Sequence, residues 1–243
     1  MTGRERPAFY ALAPGGWRDY WTMLHPPYTL WHLSYVVIGA SLSPIFRMRW
    51  LIETLIAFFL AMGLAAHALD ELEGRPLKTR IPSGALRAIA IAGLAGAVAL
   101  GGDGAIEATP WIWPLIPIGA FLVLAYNLEL FGGALHSDLW FAVAWGGFPA
   151  LTGYMAQAGY PRPEAVLAAA FCVLVSLAQR RLSTPVRRLR RAVESVSGTV
   201  RLRDGREERL DAAALRSAPE GALRILSFAM PVLALALILR HKL

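Results

Sequence analysis

A chain of 243 residues with 56% hydrophobic side chains and a mean hydropathy of +0.46 is too apolar for an ordinary soluble domain. Its single cysteine, Cys172, lies in an apolar run and excludes both an intramolecular disulfide and a multi-cysteine metal site. The net charge of +7 is concentrated in one stretch, 179–221, whose arginines lack interleaved aromatics. That pattern argues against nucleic acid and suits the anionic headgroups of an inner membrane leaflet.

Seven apolar runs, at about 29–45, 50–69, 86–101, 111–130, 139–157, 164–178 and 222–239, have roughly spanning length. They predict an all-α, polytopic transmembrane bundle in which one membrane domain occupies residues 1–243. The third and sixth runs are short for a full crossing. With the N-terminus inside, the cytoplasmic segments hold Arg4, Arg6 and Arg18, then Arg75, Lys78, Arg80 and Arg87, then the arginines from Arg180 to Arg224. The opposite side holds only Arg47, Arg49, Arg162, Arg240 and Lys242, so the positive-inside bias places the N-terminus and the large loop in the cytoplasm. No cleavable signal peptide is visible, and the first spanning helix is expected to direct insertion.

The lead carries Trp17, Tyr20 and Trp21, suited to the interface. Pro26-Pro27 then open the first long helix. His25 and His32, seven apart, share a face there and read as hydrogen-bonded packing residues, because no carboxylate sits beside them. The second apolar run ends in AAHALDELEGRPLKTRIPSG. On a helix, His67, Asp70 and Glu71 share a face, and Arg75, Lys78 and Arg80 follow immediately. Ionisable groups are costly at membrane depth unless they line a polar cavity or lie at the interface. A divalent metal on His67, Asp70 and Glu71, with an anionic, phosphorylated ligand on the three cations, satisfies both halves. A solvated helix end followed by a basic loop is the simpler alternative.

A second polar group, in YNLELFGGALHSDLW, brings Tyr126, Glu129, His136 and Asp138 to the same predicted side. The two clusters are expected to line one cavity, the second as either a metal-binding set or a polar interhelical turn. The fifth run is rich in small residues, Gly146, Gly147, Ala150 and Gly153, which permit close helix packing. Residues 179–221 form the one hydrophilic insertion. Its basic start is predicted to lie as a helix along the headgroups. GTVRLRDGREERLD then predicts a β-hairpin with a two-residue turn at Asp204-Gly205. No nucleophile elbow, phosphate-binding glycine loop, HExxH or paired CxxC occurs.

Three stretches together resemble the UbiA superfamily of intramembrane prenyltransferases. LHPPYTLWHLSYVVIGASL is similar to the family's opening helix, AHALDELEGRPLKTRIPSG to its first Asp-rich motif with the Pro-Ser-Gly ending, and YNLELFGG through WGGFPALTGY to the fourth-to-fifth helix passage. The resemblance implies a UbiA-like bundle with a central cavity, Mg²⁺ as cofactor, and an isoprenoid diphosphate whose departing diphosphate leaves an allylic cation for an acceptor. By position, Asp70 keeps the second aspartate of the first motif, while His67 and Gly74 replace two others. Tyr126 aligns with a family tyrosine. Asp70 is therefore expected to support ligand binding. The second Asp-rich motif is absent: SLAQRRLSTPVRR holds no carboxylate, and Arg180, Arg181 and Arg187 stand ready to meet an anion directly. Two functions follow, a divergent prenyltransferase acting on an isoprenoid or lipid diphosphate, or a non-catalytic subunit that binds a lipid or pigment and a partner protein.

Overall fold

A computed structural model of the chain describes residues 6–241; Arg4 and Lys242, used above for the charge bias, lie outside them. After a short interfacial helix, α1 (Trp17–Met23), comes α2 (Pro26–Leu42). The next rod joins α3 (Met48–Phe58), a π-helical segment (Phe59–Ala66) and α4 (His67–Leu72). Then follow α5 (Ser83–Glu107) and α6 (Leu115–Asn127). A second composite rod is α7 (Asp138–Ala142), a π-helical segment (Val143–Gly147) and α8 (Phe148–Ala158). The chain continues through α9 (Pro163–Arg191), a hairpin of β1 (Gly198–Arg201) and β2 (Glu207–Leu210), and α10 (Ala212–Leu239).

Five of these rods are long and apolar enough to cross a membrane: Met48–Leu72, Ser83–Glu107, Pro110–Asn127, Pro163–Arg191 and Ala212–Leu239. The α2 helix and the α7–α8 rod, also expected as spans, are not among the five. They form the centre of the bundle, where neighbouring helices rather than lipid surround their polar residues. Thr29, His32, Ser34 and Ser41 of α2 are buried, as are Thr152 and Gln157 of α8. The outer helices show the reverse pattern. Ile91 and Ile106 of α5, Leu167 and Leu174 of α9, and Ile225 and Phe228 of α10 are exposed, an apolar belt that only hydrocarbon accommodates at this extent. The protein is an integral membrane helical bundle.

Small residues set the central packing. A Cβ on Gly39 would overlap the Ala150 carbonyl, and one on Gly153 the Val36 carbonyl, so α2 and α8 touch backbone to backbone. Around this contact a polar network ties α2 to α9. Trp31 Nε1 donates to the Tyr35 hydroxyl at 2.6 Å, Ser176 Oγ donates to the same oxygen at 3.2 Å, and His32 Nε2 meets Gln179 Oε1 at 2.9 Å. His32 is thus the packing histidine that the sequence predicts.

Two expectations change at the basic loop. The sixth apolar run is not short: α9 has 29 residues and carries straight on through Pro185 to Arg191. The segment expected to lie along the headgroups is the last turns of this helix, because backbone hydrogen bonding continues where hydropathy stops. The insertion shrinks accordingly, since α10 starts at Ala212, with the Asp211 side chain accepting from the Ala214 N–H at 2.8 Å as N-cap. The hairpin is present, with Arg201 opposite Glu207, but its turn is longer than two residues. Leu202 N–H donates to the Arg206 carbonyl at 2.8 Å and Gly205 N–H to the Leu202 carbonyl at 3.0 Å. Arg203, Asp204 and Gly205 therefore form a three-residue loop, with Gly205 at φ 86 in the left-handed position that such loops require.

Gly39→Ala is expected to destabilise the bundle by about 1–3 kcal/mol through this forced helix separation. Thermal unfolding in detergent reads the effect, and an unchanged midpoint would show that α2 and α8 do not need the contact.

Candidate polar cavity

The helix ending at Leu72 is followed by Gly74 at φ 73, a left-handed C-terminal stop, and by a tight loop to Ser83. Glu71 organises that loop. Its carboxylate is fully buried and accepts from the Leu77 N–H at 3.0 Å, the Thr79 N–H at 2.9 Å and the Thr79 hydroxyl at 2.8 Å. Arg75, in the left-handed region at φ 53, donates from Nη1 to the Ile81 carbonyl at 2.6 Å and from Nη2 to Ser83 Oγ at 2.8 Å. Lys78 and Arg80 are exposed, and the Arg80 N–H donates to buried Asp19 at 3.0 Å. So Glu71 and Arg75, expected as ligand-binding groups, spend their hydrogen bonds folding the loop. Neither they nor Lys78 and Arg80 line the cavity.

That cavity, with about 150 Å³ of open space, lies between α2, α4, α6, α7 and α9. His67 and Asp70 reach it from one cluster, Tyr126 and His136 from the other, so the two groups do meet. His67 stacks on His25 with ring centroids 4.4 Å apart, and His136 stacks on Tyr126 at 4.4 Å. His136 Nδ1 lies 2.9 Å from the Tyr126 carbonyl, fixing the ring. Glu129 stays outside as an exposed residue 3.8 Å from His136, and Asp138 is tied up by Arg180 Nε at 2.7 Å. The shared face predicted for His67, Asp70 and Glu71 thus divides, with Glu71 turned into the loop.

The remaining walls include Arg180 and Arg187, two of the three α9 arginines expected to meet an anion, whereas the third, Arg181, is exposed and does not line the cavity. The arginine-bearing end of α9 supplies Arg180, Arg187, Arg190 and Arg191. Positions 180, 187 and 191 fall seven and four apart, on one helical face. Arg190 pairs with Glu220 of α10 at 2.6 Å, and Glu220 also holds Arg224 at 2.7 Å. Among the described residues, neither Arg187 nor Arg191 has a carboxylate within ion-pair distance. Pro7 to Tyr10 roof the cavity: Arg190 donates to the Arg6 carbonyl at 3.2 Å and Arg191 to the Pro7 carbonyl at 3.3 Å. The Tyr10 hydroxyl meets His25 Nδ1 at 2.7 Å, while His25 Nε2 is buried without a hydrogen-bond partner. The spacing of the α9 arginines was a readable signal, obscured by Pro185 and by the drop in hydropathy.

Beyond the polar cavity lies an apolar one, bordered by Ala57, Leu94, Ile116, Val123 and Phe148 among others. Met62 and Trp145 belong to the walls of both. Each sits in a π-helical segment, whose wider turn brings Met62 and His67, five residues apart, to one side. Side by side, the two cavities suit an amphiphile with an anionic head and an apolar tail.

The donor set does not fit the Mg²⁺ site implied by the resemblance. Mg²⁺ takes oxygen ligands, usually carboxylates and phosphates. Among the described residues, Asp70 is the one carboxylate-bearing residue lining the cavity, and it lies within electrostatic reach of Arg187 and Arg191. Among the described residues, no group of three or more His, Cys, Asp and Glu side chains converges on a metal position.

The assembled fold is similar to the apo structure of a UbiA homolog from Aeropyrum pernix K1. The TM-score is 0.51, with 83% of this chain and 76% of that chain covered, at 18% sequence identity. No protein-family model matches the chain, and no curated protein matches it. The chain is a membrane helical bundle of UbiA-like fold, as the three resembling stretches imply.

Two outcomes follow from this geometry. Glu71→Ala strands three buried donors and is expected to cost about 3 kcal/mol or more, seen as a lowered unfolding midpoint and faster proteolysis of the 73–82 loop. Stability should also fall in acid. Burial, reinforced by His67 and the Arg191 and Arg187 guanidinium groups, holds His25 well below the usual imidazole value. As pH drops below about 6.5, the unfolded chain gains a proton that the folded chain resists, a loss of about 1.4 kcal/mol per pH unit. Unfolding midpoints between pH 7.5 and 5 should show a slope of at least this size, and His25→Asn, which tolerates the left-handed backbone at φ 47, should reduce it by about 1.4 kcal/mol per pH unit.

Proposed function

We propose that the protein binds an isoprenoid or other lipid diphosphate, with the head in the arginine-lined cavity and the tail along the apolar one, and transfers the isoprenoid group to an acceptor. The observation that carries this reading is the juncture of the two cavities at Met62 and Trp145. In an allylic diphosphate the C–O bond breaks with its electron pair leaving on the diphosphate. Fixed cations offset that developing charge, the role that Arg187 and Arg191 fill here. The carbon left behind is an allylic cation. Tyr126, in ring contact with both Phe141 and Trp145, offers with them π faces that stabilise it until an acceptor adds and loses its proton. His67, His136 and His25 border the same space and are candidates to take that proton.

A second reading has one specific observation in its favour: among the described residues Asp70 is the lone carboxylate in a cavity where the family's chemistry calls for two acidic motifs. In that reading the protein is a non-catalytic subunit that holds a lipid or pigment for a partner protein. Under either reading, the charge bias orients the N-terminus and the hairpin towards the cytoplasm. The exposed Arg201, Arg203, Arg206 and Arg209 then face anionic headgroups.

Radiolabelled farnesyl diphosphate is expected to bind the detergent-purified protein and to release diphosphate when a membrane lipid extract supplies an acceptor. Binding without release assigns the non-catalytic reading. Absence of prenyl diphosphate binding, together with mass spectrometry showing no copurified isoprenoid or lipid phosphate, would remove both.

A further inference from the structure

We propose that the anionic head is held directly by the arginine face of α9, centred on Arg187, and that this recognition requires no divalent metal. The inference rests on the lipid-diphosphate reading above and adds to it how the head is recognised. A two-motif metal clamp would need facing carboxylates, but the helix that should provide the second set presents guanidinium groups instead. Three of them, Arg180, Arg187 and Arg191, occupy one face of α9. Arg180 is neutralised by Asp138 at 2.7 Å and stacks over Phe141 at 5.0 Å, so it is fixed in place.

Arg187 is the least committed of the three. Among the described residues its one hydrogen bond to a side chain is a 3.4 Å contact with Thr184, inside its own helix. Arg191 donates to the Pro7 carbonyl at 3.3 Å, a weak neutral acceptor that a phosphate oxygen outcompetes. The cavity therefore carries positive charge in excess of Asp70, and its guanidinium forks match phosphate oxygens. The same field repels a divalent cation. Asp70 also changes role: near Arg187 and Arg191 it balances part of their charge, and it opposes an incoming anion.

The test measures equilibrium binding of farnesyl diphosphate to the full chain in detergent, with EDTA or with Mg²⁺. Farnesol, the same tail without the anion, serves as comparator. The expected result is equal affinity in the two buffers, a loss of about tenfold or more in Arg187→Gln, and partial retention in Arg187→Lys. Asp70→Asn is expected to bind as well as wild type or better. Farnesol should bind at least about tenfold more weakly than the diphosphate and be indifferent to Arg187→Gln. Arg188→Gln, at an exposed position on the same helix, controls for folding alongside unfolding midpoints. Binding that needs Mg²⁺, or that disappears in Asp70→Asn, would overturn the metal-free site while leaving the lipid-diphosphate reading intact. Metal-free binding unaffected by Arg187→Gln would overturn the assignment to α9. Farnesol binding as tightly as the diphosphate would overturn recognition of the head. No binding of farnesyl diphosphate in either buffer would overturn both the inference and the reading on which it rests.

Discussion

The polar half of this protein depends on how α9 keeps its arginines out of hydrocarbon. A guanidinium at membrane depth costs several kilocalories unless it is paired or solvated, and this helix carries several in its last three turns. Three of them find partners of different kinds. Asp138 neutralises Arg180, Glu220 gathers Arg190 with Arg224 from α10, and Arg191 holds the backbone of the N-terminal segment. These contacts bring α7, α10 and the roof at Pro7–Tyr10 against α9, and a cavity remains around Arg187. The cavity is a consequence of the charge arrangement, which gives its chemistry a bias towards anions before any ligand arrives.

The apolar half depends on a different constraint, the backbone contact of α2 and α8. Gly39 and Gly153 allow these helices to touch at the centre, and the second cavity lies to the flank of that contact. There the α3–α4 rod, α5 and α6 enclose it. The π-helical turns at Phe59–Ala66 and Val143–Gly147 re-aim Met62 and Trp145 to the boundary between the two spaces. An amphiphile crossing that boundary passes from guanidinium groups to aromatic rings to aliphatic walls. This sequence of environments matches a phosphorylated lipid better than a uniformly polar or uniformly apolar ligand.

Glu71 shows how a carboxylate in a motif-like position can be structural. Three donors from one loop saturate it at distances of 2.8 to 3.0 Å, leaving Asp70 one residue earlier facing the cavity. Arg75 makes the same trade, closing the loop on Ile81 and Ser83. The resemblance of AHALDELEGRPLKTRIPSG to an Asp-rich motif thus marks a conformation as much as a binding site. The loop returns the chain to α5 while holding His67 and Asp70 at the mouth of the cavity.

The sequence by itself determined the membrane class, the rods and their order, the hairpin and the kinship of fold. Hydropathy, turn residues and local motifs are short-range properties that a linear reading captures. It also brought His67, Asp70, Tyr126 and His136 to one side, because charge bias and helix count fix which ends lie together. What only the tertiary structure decided is which of the charged residues face the cavity. Glu71 and Asp70 are neighbours on one helix, and Arg75 and Arg187 are equally basic in composition. Their difference is that backbone donors surround Glu71 and Arg75 meets nearby acceptors, whereas among the described residues Asp70 has no such donors and Arg187 only a long contact to Thr184. The extension of α9 through Pro185 was likewise hidden, since hydropathy falls where the arginines begin. Yet it is the partners from α7, α10 and the N-terminal segment, distant in sequence, that make a charged helix end tolerable inside the bundle.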